Sequence, residues 1–339
     1  MARAAHEGQF WRQVNSKIIR CELRESHLNM GQCIDLYIER GKYLESMPDS
    51  ALSERLVHLL NNCVKLDHKS MIQLCATEQP AIFARLLDTF AETTLRHGTV
   101  QAGQNPEAWK KANNAMISPS AEVAEKARKL KSLVGDEQGY LLRFSSFEFM
   151  NDLVYNGGVF LQSASAYKNQ ENVSVRDDEL KLTLVRYLNP EEALSILHEV
   201  GGPSSMREAK LIEYSVTAPD FLTLCLTDSL NYRMISDWNA EAAVIIRDPN
   251  AFFERLRGAS QKLHTEKHSL EKGKVRYIDP YFESYAKVQS EDLPFCKHFK
   301  FSYQREFRYV IRNSQKIENE DRKIYLGDIS DIAMLVDLR

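Results

Sequence analysis

The run Phe299 to Ile311 reads FKFSYQREFRYVI and holds the residues best suited to chemistry. Odd positions carry Phe299, Phe301, Tyr303, Phe307, Tyr309 and Ile311. Even positions carry Lys300, Ser302, Gln304, Glu306 and Arg308. Successive side chains of a strand alternate between its two faces, so this pattern predicts one apolar face and one polar face. Gln304 and Glu306 then point the same way, two residues apart, with positive charge on both sides. An amide and a carboxylate so placed can orient a ribose and stabilise a cation. The wet face of an ordinary antiparallel strand carries the same residue types, so the run needs support from elsewhere in the chain.

Two upstream segments give that support. In Leu141-Leu142-Arg143-Phe144-Ser145-Ser146 an arginine sits inside an apolar strand. A buried cation is costly unless an anion pairs with it. An acidic side chain would serve, and so would a phosphate or pyrophosphate, which arginine binds in bidentate fashion. In Val159-Phe160-Leu161-Gln162-Ser163-Ala164-Ser165, Ser163 and Ser165 share a face at the end of an apolar strand.

The elements that must position these residues follow from periodicity. Up to about residue 138 the chain reads as helical. Apolar residues recur at helical spacing in Cys33, Leu36, Tyr37 and in Leu52, Leu56, Leu59, Leu60. Asp49 or Ser50 caps a helix beginning near Ala51. Pro80 opens another, which His97 and Gly98 close. Residues 99–105 read as a loop, Pro106 opens a helix carrying Trp109, and Ser118-Pro119 starts a further helix ending by Gly135.

From Tyr140 onward strand-like runs alternate with turns and a few helices, among them one from Pro190 to Gly201. The fold class expected is α+β: a helical domain over 1–138, then a strand-rich domain over 139–339. Strands seldom alternate regularly with helices, which argues against a doubly wound parallel sheet.

Bulk composition narrows the function classes. The 339 residues carry a net charge of −3, with 43% apolar and 27% charged residues, so there is no global basic field for unspecific nucleic-acid binding. Six cysteines lie scattered without CxxC spacing, which predicts reduced thiols. No signal-like apolar region or membrane-length run is present, so the expected location is cytoplasmic, with no membrane partner. No phosphate-binding glycine loop and no nucleophile elbow occurs. His264 and His268 lie four apart but lack a third ligand, so a solvated helix surface is the simpler reading and no metal is expected. Asp177-Asp178-Glu179 could hold a divalent cation, but it follows a polar loop and reads more simply as a solvated run or a helix start, and Trp238 reads as core.

Arginine on a first strand, Ser-x-Ser on the next and Gln-x-Glu on a late strand resemble the Arg-Ser-Glu class of ADP-ribosyltransferases. The chain also resembles an uncharacterised bacterial family with such a core, through Ile235-Ser236-Asp237-Trp238 and Tyr303-Gln304-Arg305-Glu306-Phe307-Arg308. The resemblance covers roughly residues 140–336. It departs at Asp237 and Trp238, where that family has His and Tyr, and at Gln304, where many transferases of the class have Glu. Gln at that place accompanies modification of an amide or a nucleobase, so arginine is not the expected acceptor.

What the resemblance implies is a split β-sheet domain that takes NAD as substrate. Glu306 would stabilise the oxocarbenium-like transition state formed as nicotinamide leaves, and Gln304 would hold the acceptor. Arg143 would bind the NAD phosphates. Ser163 would support Glu306 or the nicotinamide ribose, with Ser165 beside it. Tyr167 or Phe160 would stack on nicotinamide. The function expected is an intracellular toxin or anti-phage effector modifying a nucleobase in RNA or DNA, or a protein side chain, with a neutralising antitoxin as partner. The cluster Lys297, His298, Lys300, Arg305 and Arg308 would track a phosphate backbone or the NAD pyrophosphate. The alternatives are an NAD glycohydrolase and a catalytically inactive binding module.

Overall fold

A computed structural model describes residues 22–23, 26–27, 29–66, 72–74, 80–100, 107, 120–135, 139–172, 176–188, 211–261, 269–282, 288–312 and 322–339. The expectations for residues 101–105, Trp109, the helix after Pro190, His264 and His268 concern residues outside them. The chain divides into two compact units. The first comprises Met1–Asp67, Met71–Ile117 and Val185–Ile212, and the second His68–Ser70, Ser118–Leu184 and Glu213–Arg339. Among the described residues no helix is long and apolar enough to cross a membrane.

The first unit holds two short antiparallel pairs, β1 (Glu22–Leu23) with β2 (Ser26–His27) and β3 (Val64–Leu66) with β4 (Ile72–Leu74). Its helices are α1 (Met30–Glu39), α2 (Asp49–Cys63) and α3 (Pro80–His97). Asn29 and Gln32 form a reciprocal capping box at the start of α1. Leu52, Leu56, Leu59 and Leu60 are all buried, as their helical spacing predicts. The inner face of α3 is also polar. Asp88 and Glu92 are buried, and Tyr37 Oη donates to Glu92 at 2.7 Å, Arg96 Nε to Glu92 at 2.5 Å, and Tyr43 Oη to Asp88 at 3.0 Å. Arg40 pairs with Asp88 as well.

The boundary expected at residue 138 moves. Helix α4 (Ala121–Val134), capped by Ser120 and Gly135, groups with the second unit. Its Leu130 and Val134 pack with Leu142, Phe144 and Met234, and that shared apolar burial outweighs its place beside the other helices in sequence.

In the second unit β5 (Leu141–Ser145) leads into α5 (Phe147–Tyr155), whose N-cap is Ser146, and then into β6 (Gly158–Ser163). A 3₁₀ turn over Ala164–Asn169 follows, and β7 (Lys181–Tyr187) pairs with β8 (Leu211–Thr217), the division between the two units falling within both strands. Then come β9 (Phe221–Thr227), α6 (Tyr232–Asp237), β10 (Ala242–Ile246) and α7 (Pro249–Ser260), which Asp248 caps. The chain closes with β11 (Ser269–Lys274), β12 (Arg276–Ile278), β13 (Cys296–His298), β14 (Glu306–Arg312), β15 (Arg322–Tyr325) and β16 (Ala333–Asp337).

Eight of these strands form one antiparallel sheet with central order β11-β14-β9-β5-β10-β16, and β6 with β15 branches from β9. The unit is α+β, as expected. One face buries Leu222, Leu224, Leu226, Tyr309 and Ile311 against α5 and α7. The other buries Leu142, Phe144, Ala243 and Ile245 against α4 and α6.

Gly157, between α5 and β6, has φ +67°, and a Cβ there would lie 2.1 Å from the Gly327 carbonyl oxygen. Gly157→Ala is expected to cost about 2 kcal/mol or more, from the left-handed backbone and the clash together. Chemical denaturation of the two proteins checks it.

Candidate active site

The sheet forks at β9. Along one edge β9 pairs with β14 from Phe221 to Arg312 and from Thr227 to Glu306. Its other edge is shared. Near one end Thr227 pairs with Leu142 of β5, and near the other Thr223 and Leu222 pair with Gln162 and Ser163 of β6. Between these contacts, among the described residues, the β9 edge has no ladder partner on that side. Arg143 enters the gap, its NH1 donating to the Cys225 carbonyl at 3.0 Å. Tyr167 and Cys225 lie close enough to act on the Arg143 charge. Among the described residues the guanidinium has no carboxylate partner, and burial makes its charged form less favourable.

Opposite Thr227 and Cys225, on β14, stand Glu306 and Arg308. The alternation predicted for this strand holds from Glu306 onward: Phe307, Tyr309 and Ile311 join the apolar core. The other face is not wet. Glu306 is 5% exposed and Arg308 0%. Before Glu306 the alternation fails. Phe299–Gln304 is a 3₁₀ turn, and Arg305 is left-handed at φ 43°. Gln304 is therefore not on the strand, and its shared orientation with Glu306 does not arise from strand geometry.

Lys297, on β13, joins the two. Its Nζ lies 2.5 Å from Glu306 Oε1 and donates to Gln304 Oε1 at 3.2 Å, with Glu179 Oε1 at 3.3 Å. Arg308 Nε donates to Glu306 Oε2 at 2.8 Å, NH2 to Glu179 Oε1 at 2.9 Å, and NH1 to the Pro294 carbonyl at 2.9 Å. The Glu306 amide donates to Tyr277 Oη at 2.8 Å. Two cations and two carboxylates, all buried, thus neutralise one another. Burial alone would raise the Glu306 carboxyl, but Arg308 and Lys297 overcome it and hold the group at about 2. Beside them, burial and Glu179 push the Asp177 carboxyl up to about 6.

The mid-domain and late segments meet as well. Tyr303 Oη donates to Asp237 Oδ2 at 2.8 Å, and Gln304 Nε2 donates to Tyr303 Oη at 3.3 Å. Arg233 stacks on the Tyr303 ring at 3.8 Å and pairs with Asp237. Trp238 is half-buried and meets the edge of Phe144.

The serines lie elsewhere. Ser165 belongs to the 3₁₀ turn, not the strand. Ser163 Oγ and Ser165 Oγ both donate to Asp220 Oδ2 at 2.6 Å, fastening β6 to the start of β9. Ser163 pairs with Leu222 while Glu306 pairs with Thr227, a separation of about 17 Å along β9. The structure does not place Ser163 beside Glu306, because Ser163 adjoins the start of β9 and Glu306 its end. Tyr167 is buried, its Oη 3.7 Å from Cys225 Sγ, and Phe160 is 37% exposed against Phe149.

The cationic cluster expected to follow a phosphate backbone is not a surface. Lys297 and Arg308 are internal, and Arg305 pairs with Asp228 at 3.0 Å. The acidic run is divided in the same way. Asp178 pairs with Lys168, whereas Glu179 is buried against Arg308 and Lys297. Sequence reasoning read Glu179 as part of a solvated run because its buried partner Arg308 lies 129 positions away. The place of Lys297 was equally hidden, its neighbours Cys296 and His298 giving no strand period. The chain matches no protein-family model, no curated protein and no solved structure.

Proposed function

We propose that the second unit is an ADP-ribosyltransferase-like domain that cleaves NAD at the nicotinamide–ribose bond and transfers ADP-ribose. The observation that carries this reading is Arg143, a cation with no carboxylate partner among the described residues, at the fork of the sheet and one strand across from an ionised Glu306. Strands β5 and β14 flank β9, so their backbones stand about 10 Å apart, a span suited to a pyrophosphate at one end and its nicotinamide ribose at the other. Arg143 would hold the phosphates.

Heterolysis of the C–N bond sends the electron pair to nicotinamide, which leaves neutral, and positive charge develops on the sugar. A carboxylate that stays ionised stabilises that charge, and the low acidity range of Glu306 suits this task and not that of a proton donor. The acceptor then adds at the anomeric carbon and loses its proton.

Arg143→Gln is expected to raise the KM for NAD about tenfold, with a smaller effect on kcat. Steady-state nicotinamide release checks it, and an unchanged KM would remove Arg143 from the phosphate site.

A second reading, NAD glycohydrolase, is favoured by Gln304. The residue is 1% exposed, with its oxygen on Lys297 and its nitrogen on Tyr303, so it is poorly placed to receive an acceptor, and water would take that part. Incubation of the purified protein with adenine-labelled NAD and cell lysate, followed by separate nuclease and protease digestion, distinguishes the cases. Label on macromolecules means transfer, and the digestion that removes it names the acceptor class. Nicotinamide release without label means hydrolysis. No NAD consumption, with or without lysate, leaves a binding module.

A further inference from the structure

Strand alternation does not bring Gln304 and Glu306 together, since Gln304 ends a 3₁₀ turn and the left-handed Arg305 lies between them. One ammonium does. Lys297 Nζ contacts Glu306 Oε1 at 2.5 Å and Gln304 Oε1 at 3.2 Å, and lies 4.6 Å from the centre of the Phe301 ring. Lys297 is 4% exposed. It is held by the parallel pairing of β13 with β12, which sets Tyr277 directly opposite it. Tyr277 in turn accepts from the Glu306 amide.

From this geometry we infer that Lys297 is the positioning residue of the candidate site. It aims the Glu306 carboxylate and fixes which end of the Gln304 amide faces it. The assignment of Lys297 to an external phosphate is thereby replaced by an internal role. The catalytic part of the inference rests on the NAD reading above, and the geometric part does not.

The amide orientation follows from donors and acceptors. An ammonium has only donors, so it takes the Gln304 oxygen. The Gln304 nitrogen is left to donate to Tyr303 Oη, whose own proton goes to Asp237. A chain of contacts therefore runs from Asp237 on α6 through Tyr303, Gln304 and Lys297 to Glu306. Without the ammonium the Gln304 oxygen loses the donor that faces it, and among the described residues Arg308 remains as the close cation on Glu306. The other titratable groups facing Glu306 are Tyr277 and Cys225, and those acting on Lys297 and Arg308 include Glu179 and Asp177.

Lys297→Met keeps the apolar stem and removes the charge. It is expected to lower kcat for nicotinamide release by about tenfold or more, with KM for NAD within about twofold. The Glu306 carboxyl, followed by carbon-13 NMR, is expected to titrate about one unit or more higher in this variant. Lys297→Arg is expected to restore part of both.

The wild-type protein gives a measurement that needs neither a variant nor NAD. The Gln304 side-chain amide protons should exchange slowly, and their shifts should move as Glu306 titrates in acid. Exchange at the rate of a free amide would overturn the inference, as would a folded Lys297→Met protein with an unchanged Glu306 titration. If the wild-type protein releases no nicotinamide yet the NMR results appear as expected, the NAD reading fails and the positioning role stands as a structural one.

Discussion

Replacing Glu306 with glutamine is expected to lower the rate of nicotinamide release from NAD by about 10²–10³. Glutamine keeps the size and one oxygen acceptor, so the variant isolates the charge. The argument rests on where charge develops. The sugar becomes cationic only as the bond breaks, so a fixed anion nearby acts on the transition state more than on bound NAD. The effect should fall on kcat, with KM little changed.

Glu306 is fitted to this in one respect and opposed in another. Its carboxyl is ionised at any pH of interest, so no pH adjustment is needed to charge it. Yet both oxygens already face cations, Lys297 at 2.5 Å and Arg308 at 2.8 Å, which lessens the field it presents to a third. Turnover of NAD by the wild-type protein alone is therefore expected to be slow. If Glu306→Gln retains turnover within about fivefold of wild type while folding normally, the acid is not the stabilising group.

Loss of Arg308 should have the largest effect on folding. Arg308 is 0% exposed and serves Glu306, Glu179 and the Pro294 carbonyl at once. Arg308→Met keeps much of the volume but leaves two buried carboxylates to share Lys297. Breaking a buried pair by removing one partner costs about 3–5 kcal/mol, since the remaining charge stays desolvated. In a unit of this size that corresponds to a fall in Tm on the order of 10 °C. A thermal scan of the two proteins checks it, and a change under about 2 °C would mean that water or rearrangement satisfies the carboxylates.

The pH dependence has a definite sign. The Glu306 carboxyl lies at about 2 in the folded chain against an ordinary 4.5, so the folded state binds its proton less readily than the unfolded chain. Its contribution to stability is complete above the ordinary value and is lost as pH falls toward 2. With Arg308 absent, the strongest cause of the depression is gone. Acid unfolding of Arg308→Met should then begin at a higher pH than that of wild type.

Much of the architecture was legible in the residues. Leu52, Leu56, Leu59 and Leu60 announced a buried helical face, and Ala242 to Ile246 a strand apolar on both sides. Asp248-Pro249 and Pro80 marked helix starts by their capping chemistry. Periodicity and caps are local properties, so the sequence carries them directly. It also singled out Arg143 and Glu306, because a cation between Leu and Phe and an acid among aromatics are conspicuous in one dimension.

What the sequence did not contain was which of these residues meet. The run before Glu306 alternates in composition yet folds as a 3₁₀ turn, and the strand begins only after the left-handed Arg305. Ser163 and Arg143 each adjoin β9, but the fork sends one to each end. Glu179 and Lys297, ordinary surface residue types by composition, become the inner partners of Arg308 and Glu306. The period of each element is set by neighbours two to four positions away and so can be read along the chain. The charge cluster is fixed by folding alone, since burying an ion requires its counter-ion at contact distance, however far apart the two lie along the chain.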